Sequence, residues 1–224
     1  GAHRLIGQTG VASPNCPASG TNIQYDTVNG WVLQSTDEEG RVTKYVRDAL
    51  GQPTSITRGF GTPEAVTTTY TYHATLRQPT QMVEPGLTTN YNWDTNGRLT
   101  SIAKVDTTSH TVPYATNGDT RTTTYTYTGP AGLLASVDGP LAGASDTTSY
   151  TYNASGYVTS VTNEVGHTTT ITSHNARGQP TSITDANGVV TSLTYDFQGR
   201  LLTTTVNPGA NQAVTTFEYD AIGQ

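Results

Sequence analysis

The feature that most limits what this chain can fold into is a motif that comes back every twenty-odd residues. It reads aromatic, any residue, usually a second aromatic, then Asp or Asn, with Gly three residues further on. Clear copies are Tyr91-Asn92-Trp93-Asp94-Thr95-Asn96-Gly97, Tyr150-Thr151-Tyr152-Asn153-Ala154-Ser155-Gly156, Tyr195-Asp196-Phe197-Gln198-Gly199 and Phe217-Glu218-Tyr219-Asp220-Ala221-Ile222-Gly223. Looser copies are Tyr45 to Gly51 around Asp48, Ser173 to Gly178 around Asn175, and Tyr25-Asp26. Tyr70-Thr71-Tyr72-His73 and Tyr125-Thr126-Tyr127-Thr128 keep the aromatics and lose the acid. Taking the acid as marker places the units at 26, 48, 73, 94, 128, 153, 175, 196 and 220. A fixed period of this length signals one supersecondary unit stacked on copies of itself.

The motif carries its own turn chemistry. An Asx side chain accepts backbone N–H groups and opens a type I turn, and Gly then adopts a left-handed conformation without a Cβ clash. That combination suits a hairpin with a bulge. A second Gly falls about thirteen residues after most markers, at Gly40, Gly61, Gly86, Gly166, Gly188 and Gly209, so each unit holds two turns with a strand of about seven residues between them. The two aromatics are two residues apart and share a face, which predicts an aromatic ladder across strands. The opposite face is mostly Thr and Ser. No stretch has helical periodicity.

Composition agrees. Hydrophobic residues are 33% and charged residues 12% of the chain, against roughly 45–50% and roughly 25% in ordinary domains. Thr and Tyr favour pleated strands, and Gly and Asn favour turns, so the reading is β-strands over a thin core. The net charge of −6 is the opposite of what a nucleic-acid-binding surface needs. No apolar run is long enough to span a membrane as a helix. Cys16 stands alone, so no disulfide can form within the chain.

Tyr219-Asp220 with Gly223, and Trp93-Asp94 with Gly97-Arg98-Leu99-Thr100, resemble the YD or RHS repeat. The resemblance covers about residues 21–224. Known members are bacterial Rhs polymorphic toxins, the C component of ABC toxin complexes, wall-associated bacterial proteins and teneurins. It implies tandem antiparallel β-hairpins forming one long, twisted or curved sheet, which in large members winds into a hollow shell around a toxin. The Asp-Pro-containing self-cleavage segment of the family has no counterpart in these residues; Asp138-Gly139-Pro140 reads as an inter-strand turn.

The resulting expectations are an N-terminal linker or cap over 1–20, a repeat array of about nine hairpins over 21–224, and an irregular insertion near 103–122. The stop just past a turn Gly suggests one stretch of a longer shell or fibre, whose open sheet edge would recruit further repeats of the same or another chain. Tyr25, Asp26, Tyr45, Asp48, Gly51, Tyr91, Trp93, Asp94, Gly97, Tyr150, Tyr152, Asn153, Gly156, Asn175, Gly178, Tyr195, Asp196, Gly199, Phe217, Tyr219, Asp220 and Gly223 are expected to be structural. No catalytic constellation, phosphate loop, cofactor signature or metal-spaced His and Cys set is found. Asp37-Glu38-Glu39-Gly40 reads as a solvated turn, with a weak calcium site as the sharper alternative. A scaffold in a secreted shell, with an enclosed toxin as partner, leads; a module binding cell-surface glycans through exposed Tyr, Trp31 or Trp93 is the second reading.

Overall fold

A computed structural model describes residues 4–11, 20–141, 146–209 and 211–220. The calls on Cys16 and Gly223 lie outside the described residues. The described residues hold eighteen strands, and no helix occurs among them. The chain divides into two units, 1–122 and 123–224, with the boundary inside one strand.

In the first unit lie β1 (Gly7–Thr9), β2 (Gly20–Tyr25), β3 (Val32–Thr36), β4 (Val42–Arg47), β5 (Pro53–Arg58), β6 (Val66–Tyr72), β7 (Pro79–Glu84), β8 (Leu87–Trp93) and β9 (Leu99–Asp106). From β2 on, each pairs antiparallel with the strand before it. The second unit repeats this plan with β10 (Thr120–Thr128), β11 (Leu133–Asp138), β12 (Thr147–Tyr152), β13 (Val158–Thr162), β14 (Thr168–His174), β15 (Pro180–Thr184), β16 (Val190–Tyr195), β17 (Leu201–Val206) and β18 (Ala213–Thr216). Within each unit the architecture is the all-β run of tandem antiparallel hairpins that the repeat implied.

The N-terminal segment joins the array. β1 pairs along the start of β2, and Ile6 accepts a bond from the Ile23 N–H at 2.7 Å. The irregular stretch near 103–122 is ordered around Asp106. Its carboxylate accepts the Thr108 N–H at 2.7 Å and hydroxyl at 2.6 Å, and the Thr116 hydroxyl at 2.8 Å.

Register sorts the side chains, because residues opposite each other share a face. Tyr45, Ile56 and Thr68 lie in one row, as do Tyr70, Met82 and Thr89. In the second unit Tyr150 faces Val161, and Ile171 faces Ile183. The other face is a hydroxyl network: Thr57 with Thr67 at 2.9 Å, Thr126 with Ser136 at 2.7 Å, Thr151 with Ser160 at 2.6 Å, and Thr194 with Thr203 at 2.7 Å.

The expected thin core is thinner still. Among the described residues no hydrophobic side chain is buried, and the two buried residues are Thr68 and Thr89, each 2% exposed. The physical reason is that a single-layer sheet has nothing packed on its apolar face, so the strands hold together through ladder bonds, turns and cross-strand side-chain pairs.

Candidate functional site: the motif turns and their links

Five of the motif turns share one construction. In the hairpin around Asp196, Oδ1 accepts the N–H groups of Gln198 and Arg200, each at 2.9 Å. The Gly199 N–H donates to the Asp196 carbonyl at 3.0 Å, and the Asp196 N–H to the Arg200 carbonyl at 2.9 Å. Gly199 has φ +88°. Asp48 with Gly51, Asp94 with Gly97, Asn153 with Gly156 and Asn175 with Gly178 repeat the pattern. Beside the turn one extra residue enters the returning strand: Tyr195 faces Leu201 and Thr194 faces Thr203. Such a bulge marks each hairpin closed by a motif turn among the described residues, and it locally raises the strand twist.

The degenerate copies depart from this geometry. The His73 turn is one residue longer, its N–H closing on the Gln78 carbonyl at 2.8 Å with Arg77 at φ +57°. His73 uses Nδ1 to accept the N–H groups of Thr75 and Leu76 at 3.3 and 3.2 Å, which only the ring with its proton elsewhere can do. At the fifth turn the hub is Gly129, whose carbonyl accepts the Gly132 N–H at 3.1 Å. The hub therefore falls one residue later than Thr128, the marker read from the sequence.

The second aromatic of the motif does something the sequence reading missed. Its polar tip donates to a backbone carbonyl one hairpin back: Tyr72 to Pro53 and Tyr195 to Pro180 at 2.8 Å, Trp93 (through Nε1) to Pro79 and Tyr152 to Leu134 at 2.7 Å, Tyr219 to Leu201 at 2.8 Å. Tyr25 does the same toward Leu5 at 2.8 Å. The expected ladder of stacked rings is thus replaced by a ladder of donors. The reason is spacing: a ring long enough to span neighbouring hairpins delivers its tip, not its face, to the strand beyond. Tyr45, Tyr91 and Tyr150, the first aromatics, face Ile56, Ile102 and Val161. Phe217 follows β18, and its N–H donates to Leu202 at 2.8 Å.

A second set of links runs forward. Gln52 donates to the Arg77 carbonyl at 2.8 Å and Gln179 to the Gly199 carbonyl at 2.7 Å. Where the same place holds an aromatic, the ring lies on the next turn's glycine. A Cβ on Gly51 would come within 2.8 Å of the Trp31 ring, and one on Gly178 within 2.5 Å of the Tyr157 ring.

Arginine four residues after the acid is a further component the sequence reading passed over. Arg98 pairs with Asp94 at 2.6 Å, Arg200 with Asp196 at 2.7 Å and Arg41 with Asp37 at 2.7 Å. Glu39 also pairs with Arg41, at 2.8 Å, so one guanidinium serves two of the three acids in the turn at 37–40. The opposite-edge turns have Asx hubs of their own in Asp37, Asn163 and Asp185.

These bonds hold the carboxyls below their ordinary value of 3.8. At Asp94 the Arg98 N–H is the largest influence. At Asp196 and Asp37 desolvation pushes upward, and the N–H and guanidinium of Arg200 and Arg41 outweigh it. A depressed folded-state value adds stability that is complete above the unfolded carboxylate range and lost as pH falls through it. Urea midpoints are therefore expected to be flat from neutral pH down to about 5 and to drop as pH approaches 3. Replacing Asp94 and Asp196 together by Asn should flatten that drop; an unchanged acid slope would remove these turns as its cause.

A model of the RHS repeat matches the chain twice, over residues 25–63 and 174–212. Those two stretches are RHS repeats. Each match opens on the residue before an Asx hub and takes in two motif turns, those of Asp26 and Asp48 and those of Asn175 and Asp196. The fold is shared with solved structures of TcdB2-TccC3. A crystal structure titled TcdB2-TccC3-TEV aligns over 99% of this chain with TM-score 0.69 and 20% identity, covering 12% of that chain. TcdB2-TccC3 without its hypervariable C-terminal region aligns over 92% of this chain, at TM-score 0.70 and 17% identity, covering 11% of that chain. TcdB2-TccC3-Cdc42 aligns over 92% at TM-score 0.68 and 16% identity, again covering 11% of that chain. At such identities the likeness is one of fold, and this chain spans only 11–12% of the length of those chains. No curated protein sequence matches the chain.

Proposed function

We propose that these RHS repeats are a stretch of wall in an extracellular shell that encloses a secreted toxin, and that they contribute architecture rather than catalysis. The observation that carries the reading is the two-faced single layer: aromatic and aliphatic rows on one side, a threonine and serine network on the other, and no hydrophobic side chain buried among the described residues. A wall has an inside and an outside, and such a sheet supplies two chemically different surfaces while each repeat adds to the next. The likeness in fold to TcdB2-TccC3 supports the same reading. The partners it implies are further RHS repeats and an enclosed toxin. A glycan-binding role has less support, because the Trp31 ring lies on Gly51 and the Trp93 indole is committed to Pro79.

The test uses the parent protein in a Cys16→Ser background. Ile183→Cys reports on the aliphatic face and its neighbour Ser182→Cys on the hydroxyl face. A bulky maleimide is expected to label position 182 and spare position 183 until the assembly is opened with denaturant. Equal labelling of both in the native assembly would count against an enclosing wall.

A further inference from the structure

The first motif turn, one residue longer than the regular ones as the His73 turn also is, exposes a reactive backbone. Four Asn-Gly pairs occur in the chain: Asn29-Gly30, Asn96-Gly97, Asn117-Gly118 and Asn187-Gly188. An Asn followed by Gly can close on itself. The Gly nitrogen, once deprotonated, attacks the Asn Cγ; the N–Cγ bond forms, the Cγ–Nδ2 bond breaks, and the amide nitrogen leaves as ammonia with the proton given up by the Gly N–H. Water then opens the cyclic imide at either carbonyl and leaves aspartate or isoaspartate. No oxidant or reductant enters. Gly favours this because no Cβ hinders the approach, and the step requires a Gly N–H that is not held by a carbonyl.

Three of the four pairs fail that requirement. The Gly97 N–H donates to the Asp94 carbonyl at 3.0 Å, Gly188 to Asp185 at 3.0 Å, and Gly118 to Asp106 at 2.8 Å. Asn117 is held twice, because its amide also donates to the Thr108 carbonyl at 2.8 Å. The first turn is built differently. It is one residue longer, with the Asp26 N–H closing on the Trp31 carbonyl at 2.8 Å. The position three after the acid is therefore Asn29, whose N–H donates to the Asp26 carboxylate at 2.6 Å. Gly30 is displaced to the next position, where its N–H has no carbonyl acceptor among the described residues and is turned to the Asp26 carboxylate instead. Asn29 is exposed.

We infer that Asn29-Gly30 is a site of spontaneous modification, converting to aspartate and isoaspartate while the turn geometry protects the other three pairs. The products put a carboxylate, or an extra methylene in the main chain, into the turn that leads to Trp31. Conversion therefore loosens the ring that lies on Gly51 and so the link between the first two hairpins.

Peptide mapping by mass spectrometry after incubation of the whole chain at mildly alkaline pH tests this. Asn29 is expected to convert about tenfold faster than Asn96, Asn117 or Asn187, the factor carried by one backbone hydrogen bond. In denaturant all four should convert at similar rates. The inference is overturned if Asn29 is no faster than the other three in the folded chain, or if the ranking in the folded chain matches that in denaturant. Asn29→Gln should remove the acidic species that accumulates first; its persistence would assign the reaction elsewhere.

Discussion

Replacing Gly178 by Ala should lower stability by about 3 kcal/mol, while the same change at Gly188 should cost only about 1–2 kcal/mol. The two glycines have nearly the same backbone, φ +80° and +81°. Both substitutions therefore pay for a left-handed conformation that an L side chain disfavours by roughly 1–2 kcal/mol. They differ in what the new methyl meets. At Gly188 nothing lies within 4 Å, whereas at Gly178 the Tyr157 ring is 2.5 Å away. A contact that short forces the ring off the turn, an overpacking cost of typically 1–3 kcal/mol. Urea-unfolding midpoints of the two variants measure the difference. A cycle with Tyr157→Ala isolates it: the double variant should be destabilised by less than the sum of the singles, because the methyl no longer meets a ring. Equal shifts at 178 and 188 would mean that the ring bears no load.

The triple change of Tyr72, Tyr152 and Tyr195 to Phe should cost about 3 kcal/mol, close to 1 kcal/mol for each lost hydroxyl bond. Each ring stays in place, so the change isolates the donor. Each also leaves a carbonyl without its partner, at Pro53, Leu134 and Pro180. No two of these bonds share an atom or a turn, so the costs should add. Tyr45→Phe is the control, since that ring belongs to the face-lining set opposite Ile56 and should shift stability by less than about 0.5 kcal/mol. If the control matched Tyr195→Phe, the backward bonds would carry no special weight.

The residues that made the fold legible are those whose effect is local. Asp94 and Gly97 act within five positions of each other, so spacing alone exposes their turn. Alternation within Val190–Tyr195 is likewise readable, because strand geometry maps it directly onto two faces. What stayed hidden is contact between units. Trp93 meets a carbonyl fourteen residues upstream, and every residue has a carbonyl, so nothing in the sequence marks the acceptor. The role of Pro in Gln179-Pro180 was equally silent: it opens the returning strand, where a missing N–H is harmless, and its oxygen serves the following repeat. The Asp-to-Arg pairs could have been found, since Asp94-to-Arg98 and Asp196-to-Arg200 share one spacing, which the eye passes over while following Gly.

The backward reach of Tyr72, Trp93, Tyr152, Tyr195 and Tyr219 gives the array a direction in time. A hairpin leaving a ribosome or an export channel closes its own turn at once, but the donor that secures it belongs to the hairpin still to come. Maturation then advances like a ratchet from the N-terminal side, and the newest hairpin is always the least secured. Pulled from that newest end, the array should yield one hairpin at a time, each release breaking the links to one neighbour and leaving the older rungs latched.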